Sequence, residues 1–261
     1  MLCLAHALLS SLLQPHAAAQ LCLDLLEGAA GPRRWELQCL LGELQDRPEL
    51  YEAAWAESGG RCALAMRMAG RRHQRHQRHE EAAECLGRAL ALAPAFPEAQ
   101  FARGCALLAL GRAAEAAPCF AAAVHGLPDD GQAWANLSVA LRAAGSLEQA
   151  LVAGQQAARL SNRDWRVLHN LLALALLAAP PREQLAVDTA RRLLLLAREA
   201  GAPPGERLPL EALERLSRSP ARHLPALLDE ACALWPAEPG VYAVRAAMLV
   251  RALIPSGFFP R

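Results

Sequence analysis

The chain has 261 residues with a net charge of +1, enough for one large domain or two small ones, and no global electrostatic pull toward nucleic acid or an anionic membrane. Hydrophobic residues make up 54% and charged residues 20%, aromatics only 5%, and Ala, Leu, Arg and Glu dominate, which favours helices and argues against a sheet protein. Every one of the 27 basic residues is arginine, so Schiff-base and phosphate-loop lysine chemistry are excluded.

The run from Met1 to Gln20 is apolar, and Ala17-Ala18-Ala19 imitates a signal cleavage site. A secretory signal also needs a basic start, and no basic residue other than histidine precedes Arg33. Residues 1–34 are therefore expected to be N-terminal helices leading into the main body of the chain.

The middle of the chain carries a repeat of 34 residues. With Ala63, Pro97 and Gly131 as first positions, the eighth reads Gly70, Gly104, Ser138, the twentieth Ala82, Ala116, Ala150, and the twenty-seventh Ala89, Ala123, Ala157. The thirty-second reads Pro94, Pro128, Asn162. Small residues at the eighth, twentieth and twenty-seventh positions let two antiparallel helices, and the next pair, approach closely. Large ones such as Trp134, Leu137, Leu141, Leu86 and Phe120 fill the space between. Proline at the thirty-second cannot continue a helix and ends each pair. Gly111 and Gly145, at the fifteenth, suit a turn that needs positive φ. These are the marks of the tetratricopeptide repeat, and the predicted fold is an all-α tetratricopeptide-repeat solenoid, a right-handed superhelix of helix pairs. Pro118 falls at the twenty-second position, so the second helix of that unit should either start late or kink there.

The pattern extends both ways with decay. Units are predicted near 35–62, 63–96, 97–130, 131–164 and 165–199, the first of them short. The second helix of the last runs through Ala186, Ala190 and Leu193 after a two-residue shift at Pro180-Pro181. Residues 200–261 form a Pro- and Gly-rich loop and a degenerate repeat acting as a C-terminal cap. Leu228, Ala231 and Pro236, then Tyr242 and Ala246, echo the motif there, so the chain reads as one solenoid without a second domain.

Several constellations carry chemistry in other settings. His73, His76 and His79 are spaced for one helical face and could ligate zinc. They alternate with Arg71, Arg72, Arg75 and Arg78, which repel a cation, and straddle an inter-helix turn, so a solvated polar turn is expected and a metal site is the rival. The same stretch lacks the aromatics that stack on bases, and Glu80, Glu81 and Glu84 come directly after it, so nucleic-acid binding is not expected. The sequon Asn136-Leu137-Ser138 lies inside a predicted helix. Eight cysteines, at 3, 22, 39, 62, 85, 105, 119 and 232, form no Cys-x-x-Cys pair and read as small hydrophobes in a reducing compartment. The apolar run Leu171 to Ala179 is too short to span a bilayer. No catalytic residue and no cofactor are expected.

The surface left for function is concave, lined by the second, fifth, sixth, ninth and twelfth positions of each first helix. Those positions supply Arg67, Arg71, Gln132, Asn136, Arg166, His169 and Asn170, with Arg103 at the groove edge. A moderately basic, hydrogen-bonding groove suits a helical or extended peptide of some acidic character. Tetratricopeptide co-chaperones that clamp terminal carboxylates place Lys, Asn, Asn, Lys and Arg at set positions. Here those positions hold Phe101, Cys105, Asn136, Arg166 and Asn170, so a carboxylate clamp is not expected.

Five further stretches carry a resemblance. Leu40-Leu41-Gly42-Glu43-Leu44, then Tyr51 to Ser58, then Arg61-Cys62-Ala63-Leu64-Ala65, with Ala133-Trp134-Ala135-Asn136-Leu137-Ser138 and Asp164-Trp165 later, resemble the tetratricopeptide repeat protein 27 family over about Trp35 to Leu177. The shared short unit before Ala63 is more diagnostic than the generic repeat. Members of that family are much longer, with a large N-terminal region that has no counterpart here. The resemblance implies an intracellular adaptor, cytoplasmic with the nucleus as an alternative, that helps assemble large complexes in the chaperone network. The expected function is thus a non-enzymatic scaffold for protein or peptide partners. Its rivals are a truncated fragment without independent function and a metal protein built on the His73 cluster.

Overall fold

The computed structural model describes residues 15–178, 182–200, 228–229 and 231–233. They contain eleven α-helices and no strand: α1 (Pro15–Glu27), α2 (Pro32–Leu44), α3 (Glu49–Glu57), α4 (Ala63–Arg75), α5 (His79–Leu92), α6 (Pro97–Ala109), α7 (Ala113–Gly126), α8 (Gly131–Ala143), α9 (Leu147–Leu160), α10 (Trp165–Leu177) and α11 (Glu183–Ala200). The chain divides into two compact units, residues 1–128 and 129–261, and the division falls at a repeat boundary.

In the first unit α1 to α7 pack as successive neighbours. In addition, the first helix of each pair touches the first helix of the next, α2 on α4 and α4 on α6. The second unit repeats the scheme with α8, α9, α10 and α11, α8 again touching α10. The close approaches arise from the eighth position. A Cβ on Gly70 would stand 2.6 Å from Leu86 Cγ, and one on Gly104 2.8 Å from Phe120 Cε1. The bare backbone of one helix thus receives the large side chain at the twenty-fourth position of its partner. Leu86 and Phe120 are fully buried as a result, which stabilises each pair by roughly 1.5–3 kcal/mol per side chain.

Helix starts have local causes. Pro97 opens α6 at a position where no N–H is needed. The carboxylates of Asp130 and Asp164 cap α8 and α10, accepting from Gln132 N (2.9 Å) and Ala133 N (3.2 Å), and from Arg166 N (2.9 Å). The turns between paired helices pass through positive φ at Gly111 (73°) and Gly145 (84°).

Two expectations meet the structure differently. α7 starts on time: its first residue, Ala113, stands 34 residues after the start of α5 and 34 before that of α9, and Pro118 lies inside it. A late start is therefore ruled out. Pro118 and Ala114, whose carbonyl the missing N–H would have served, are both exposed, so water can satisfy that acceptor. The short first unit is short in a particular way. α2 ends two residues after Gly42, where α4 and α6 run five residues past Gly70 and Gly104. Tyr51 comes round to meet Gly42, its Cε1 2.7 Å from where a Cβ would stand. The contact of the full repeats is thus kept with seven fewer residues between the partners.

The Ala17-Ala18-Ala19 run lies in α1, whose Ala19 and Cys22 are buried with Leu37, Leu40 and Leu41 of α2. At the other end, α11 buries Ala186, Ala190 and Leu193 as the shifted register expects. Leu228, Ala231 and Cys232 are buried in the same cluster. Pro236, Tyr242, Ala246 and the remainder of the predicted cap lie outside the described residues.

Candidate functional site

Each unit carries part of the predicted surface. In the second unit four of the predicted residues, Gln132 and Asn136 from α8 and Arg166 and Asn170 from α10, line one cavity of about 250 Å³. Ala135, Val139, Gly154, Ala157, Asp164 and Val167 complete its lining. The amides make two separate sets of hydrogen bonds: Gln132 Nε2 donates to Asn136 Oδ1 at 3.3 Å. Asn170 Nδ2 donates to Ser138 Oγ at 2.9 Å, and Ser138 Oγ donates to Ala150 O at 2.9 Å. Asn170 thereby ties α10 to α8, and through Ser138 to α9. Its own Oδ1 is buried without a hydrogen-bond partner, and an unsatisfied buried acceptor is a site where a donor from a ligand gains most.

His169 is not in the cavity lining. It is half-buried, its ring set edge-on to Trp165 with centroids 6.4 Å apart. Burial pushes its pKa below the ordinary histidine value, and the nearby Arg142 guanidinium pushes the same way.

Sequence reasoning missed Gly154. It stands at the twenty-fourth position, where the two preceding units have Leu86 and Phe120, and it faces Ser138, whose Oγ lies 3.1 Å from where its Cβ would be. The small and large partners have been replaced by two small ones, with Leu171 and Leu174 of α10 closing in within 3.5 Å of where the Gly154 Cβ would be, and Gly154 lines the cavity. The signal was in the sequence, as the loss of size complementarity between the eighth and twenty-fourth positions.

In the first unit the predicted residues do not converge. Arg67 stacks on Phe96, its Cζ 5.0 Å from the ring centroid. Arg71 is exposed on α4. Arg103 lies over Gly87 of α5 and beside the Cys119 thiol of α7, against second helices rather than among the first ones. Of the other basic residues near the turn after α4, Arg72 pairs with Asp46, Arg75 with Glu43 (3.1 Å) and Arg78 with Glu81 (2.9 Å). The stretch is thus largely neutralised where it lies.

The histidines are not on one helical face. His73 is in α4, His76 caps its C-terminus, and His79 opens α5 with Nε2 3.2 Å from Gln77 Oε1. Among the described residues no group of three or more His, Cys, Asp or Glu stands close enough together to hold a metal ion, and no helix is long and apolar enough to cross a membrane. The sequon serine is Ser138, fully buried in the tie described above.

Comparison with known proteins bears on the fold. The tetratricopeptide-repeat family matches residues 67–130 and again 101–164, two windows offset by one repeat of 34 residues. A TPR repeat-containing protein of Schizosaccharomyces pombe, C19B12.01, is 30% identical over 146 residues, which is 55% of this chain and 18% of that protein. The chain thus spans about a fifth of the length of this curated relative. The C-terminal part of a TPR repeat-containing protein from Cytophaga hutchinsonii is similar in structure, with a TM-score of 0.60 at 13% identity, over 88% of this chain and 94% of that one. YrrB, described as a TPR protein with an unusual peptide-binding site, matches with a TM-score of 0.55 at 15% identity, over 87% and 99%. The fold is that of an all-α tetratricopeptide-repeat solenoid. Proteins of this class are interaction scaffolds and are generally not enzymes.

Proposed function

We propose that the chain is a non-enzymatic adaptor and that the groove of the second unit, over Gln132, Asn136, Arg166 and Asn170, receives an extended or helical peptide segment of a protein partner. One observation carries this reading: four of the residues chosen by repeat position alone line one cavity, and the buried Asn170 Oδ1 there has no partner. A peptide N–H can serve that acceptor, the amides of Gln132 and Asn136 can pair with main-chain groups, and Arg166 favours an acidic residue nearby. The peptide-binding site described for YrrB is consistent with this use of the fold. The resemblance to the tetratricopeptide repeat protein 27 family extends the proposal to assembly of large complexes with chaperones, in the cytoplasm or nucleus.

The test uses the whole chain with a photo-crosslinking amino acid in place of Val139, because a chain without lysine offers amine-reactive reagents almost nothing. Asn170 also ties helices together, so the binding variant is Gln132→Ala, Asn136→Ala, Arg166→Ala. The expected result is a defined set of partners crosslinked at the groove and a loss of ten-fold or more in their yield in the variant, at unchanged thermal stability. Equal yield from both proteins would place binding elsewhere. Capture of general chaperones alone, equally by both, would sink the adaptor reading and leave the fold intact.

A further inference from the structure

Apart from the groove, the described residues contain one cluster of reactive groups that the proposed function does not use. Cys39 of α2 and Cys62, the residue that caps α4, belong to one buried cluster with Tyr51, Ala54, Ala65 and Met68. Cys39 is fully buried, and Cys62 keeps 6% of its surface open at the end of the loop between α3 and α4. Ser58 fixes that loop. Its Oγ donates to Trp55 O at 2.8 Å and accepts from Arg61 N and Cys62 N, each at 3.1 Å. Gly59 and Gly60 turn the chain at φ 61° and 75°, and Gly59 and Arg61 are exposed, so Cys62 directly follows a short solvated loop.

We propose that Cys39 and Cys62 are a peroxide-oxidisable dithiol that closes to a disulfide between α2 and the start of α4. The position of Cys62 supplies the chemistry. Cys62 stands at the N-terminus of α4, where the positive end of the helix dipole favours the anionic form of a thiol. The neighbouring Cys39 thiol and the backbone of the first turn of α4 hold the Cys62 thiol down to about 7 against the opposing effect of burial. The same contact and burial push Cys39 up. Burial alone pushes up Cys22, and burial is also the largest cause of the rise at Cys85 and Cys119. Its place at the start of a helix and its residual exposure make Cys62 the attacking sulfur, and the fully buried Cys39 the resolving one.

The steps balance. The Cys62 thiolate attacks one oxygen of hydrogen peroxide, an S–O bond forms, the O–O bond breaks, and the departing hydroxide takes up a proton to become water. The Cys39 sulfur then attacks the sulfenic acid. An S–S bond forms, the S–O bond breaks, and hydroxide leaves as water with the Cys39 proton. Two thiols lose two electrons and two protons, and one peroxide becomes two waters. Ordinary thiol reductants reverse the result by exchange. The bridge would lock the short first repeat to the next one, and reduction would release it.

The experiment treats the reduced full chain with stoichiometric hydrogen peroxide, alkylates the remaining thiols and digests with trypsin. Cys39 lies in fragment 35–61, because the bond before Pro48 resists cleavage, and Cys62 in fragment 62–67. The expected product is these two fragments linked and lighter by two hydrogens, restored by dithiothreitol. Cys62 should alkylate at least ten-fold faster than Cys85 at pH 7. In Cys39→Ala the linked species should vanish and Cys62 should be trapped by dimedone as sulfenic acid. The proposal is overturned if Cys39 and Cys62 stay alkylatable while Cys85 or Cys105 has been oxidised, or if linked fragments form at random among the cysteines. Both readouts on the unmutated chain hold even if the variant fails to fold.

Discussion

Gln77 occupies a conformation that its two counterparts leave to glycine. At the fifteenth position of successive repeats stand Gln77, Gly111 and Gly145, with φ of 61°, 73° and 84°. A side chain with a Cβ pays about 1–2 kcal/mol to sit there, and the exposed contact of Gln77 with His79 offsets little of it. Gln77→Gly should raise stability by about 0.5–1 kcal/mol once the greater freedom of glycine in the unfolded chain is subtracted. A urea denaturation midpoint that stays put or falls would show that the turn relaxes around glutamine at no cost. The glycines at this position were legible in the sequence because glycine is what the turn asks for. Gln77 was not, because nothing about a glutamine between histidine and arginine announces a left-handed backbone. The groove divides the same way. Gln132, Asn136, Arg166 and Asn170 are legible because the repeat fixes which way each points. The roles of Ser138 and Gly154 emerge only when two positions sixteen residues apart are compared by size. Arg67 and Arg103 show the limit of positional reasoning, since Phe96 draws one and the second-helix side takes the other.

Among the described helices, α7 alone of the second helices with a full repeat register carries an interior proline. It keeps its length and its start because tertiary packing outweighs the lost bond: Ala116, Ala117, Cys119, Phe120, Ala123 and Val124 are all buried on its inner face. The proline sits on the outer face, where its ring clashes least and the orphaned acceptor stays wet. Pro118→Ala restores one backbone hydrogen bond and should stabilise the chain by about 1–3 kcal/mol, raising the thermal midpoint by several degrees for a domain of this size. An unchanged midpoint would mean that water already replaces the bond in full. The short first repeat teaches a related lesson. That it was short could be read from the early start of the next unit. How it shortens could not, because Tyr51 substitutes for the usual twenty-fourth residue from a helix that begins much closer to its partner glycine.

For the whole molecule, the described helices pack chiefly on helices one or two places away in the chain. Stability is then a sum of repeat terms and neighbour terms, and a local injury spreads only as far as those neighbours. Ser138 offers a clean test. Its hydroxyl joins α8 to Ala150 of α9 and to Asn170 of α10 in a fully buried position. Ser138→Ala leaves the Asn170 amide and the Ala150 carbonyl without that partner, and should cost about 1–3 kcal/mol. Hydrogen exchange should report the loss unevenly. Amides of α8, α9 and α10 should open with a free energy lower by that amount, while those of α2, α3 and α4 should keep theirs within a few tenths of a kcal/mol. Equal acceleration throughout would mean that the chain unfolds as one cooperative body despite its local packing. The uneven result carries a consequence for binding. A partner seated over Asn170 would stabilise the helices that line its groove, and the thiol pair at the far end of the sequence could be oxidised or reduced without disturbing it.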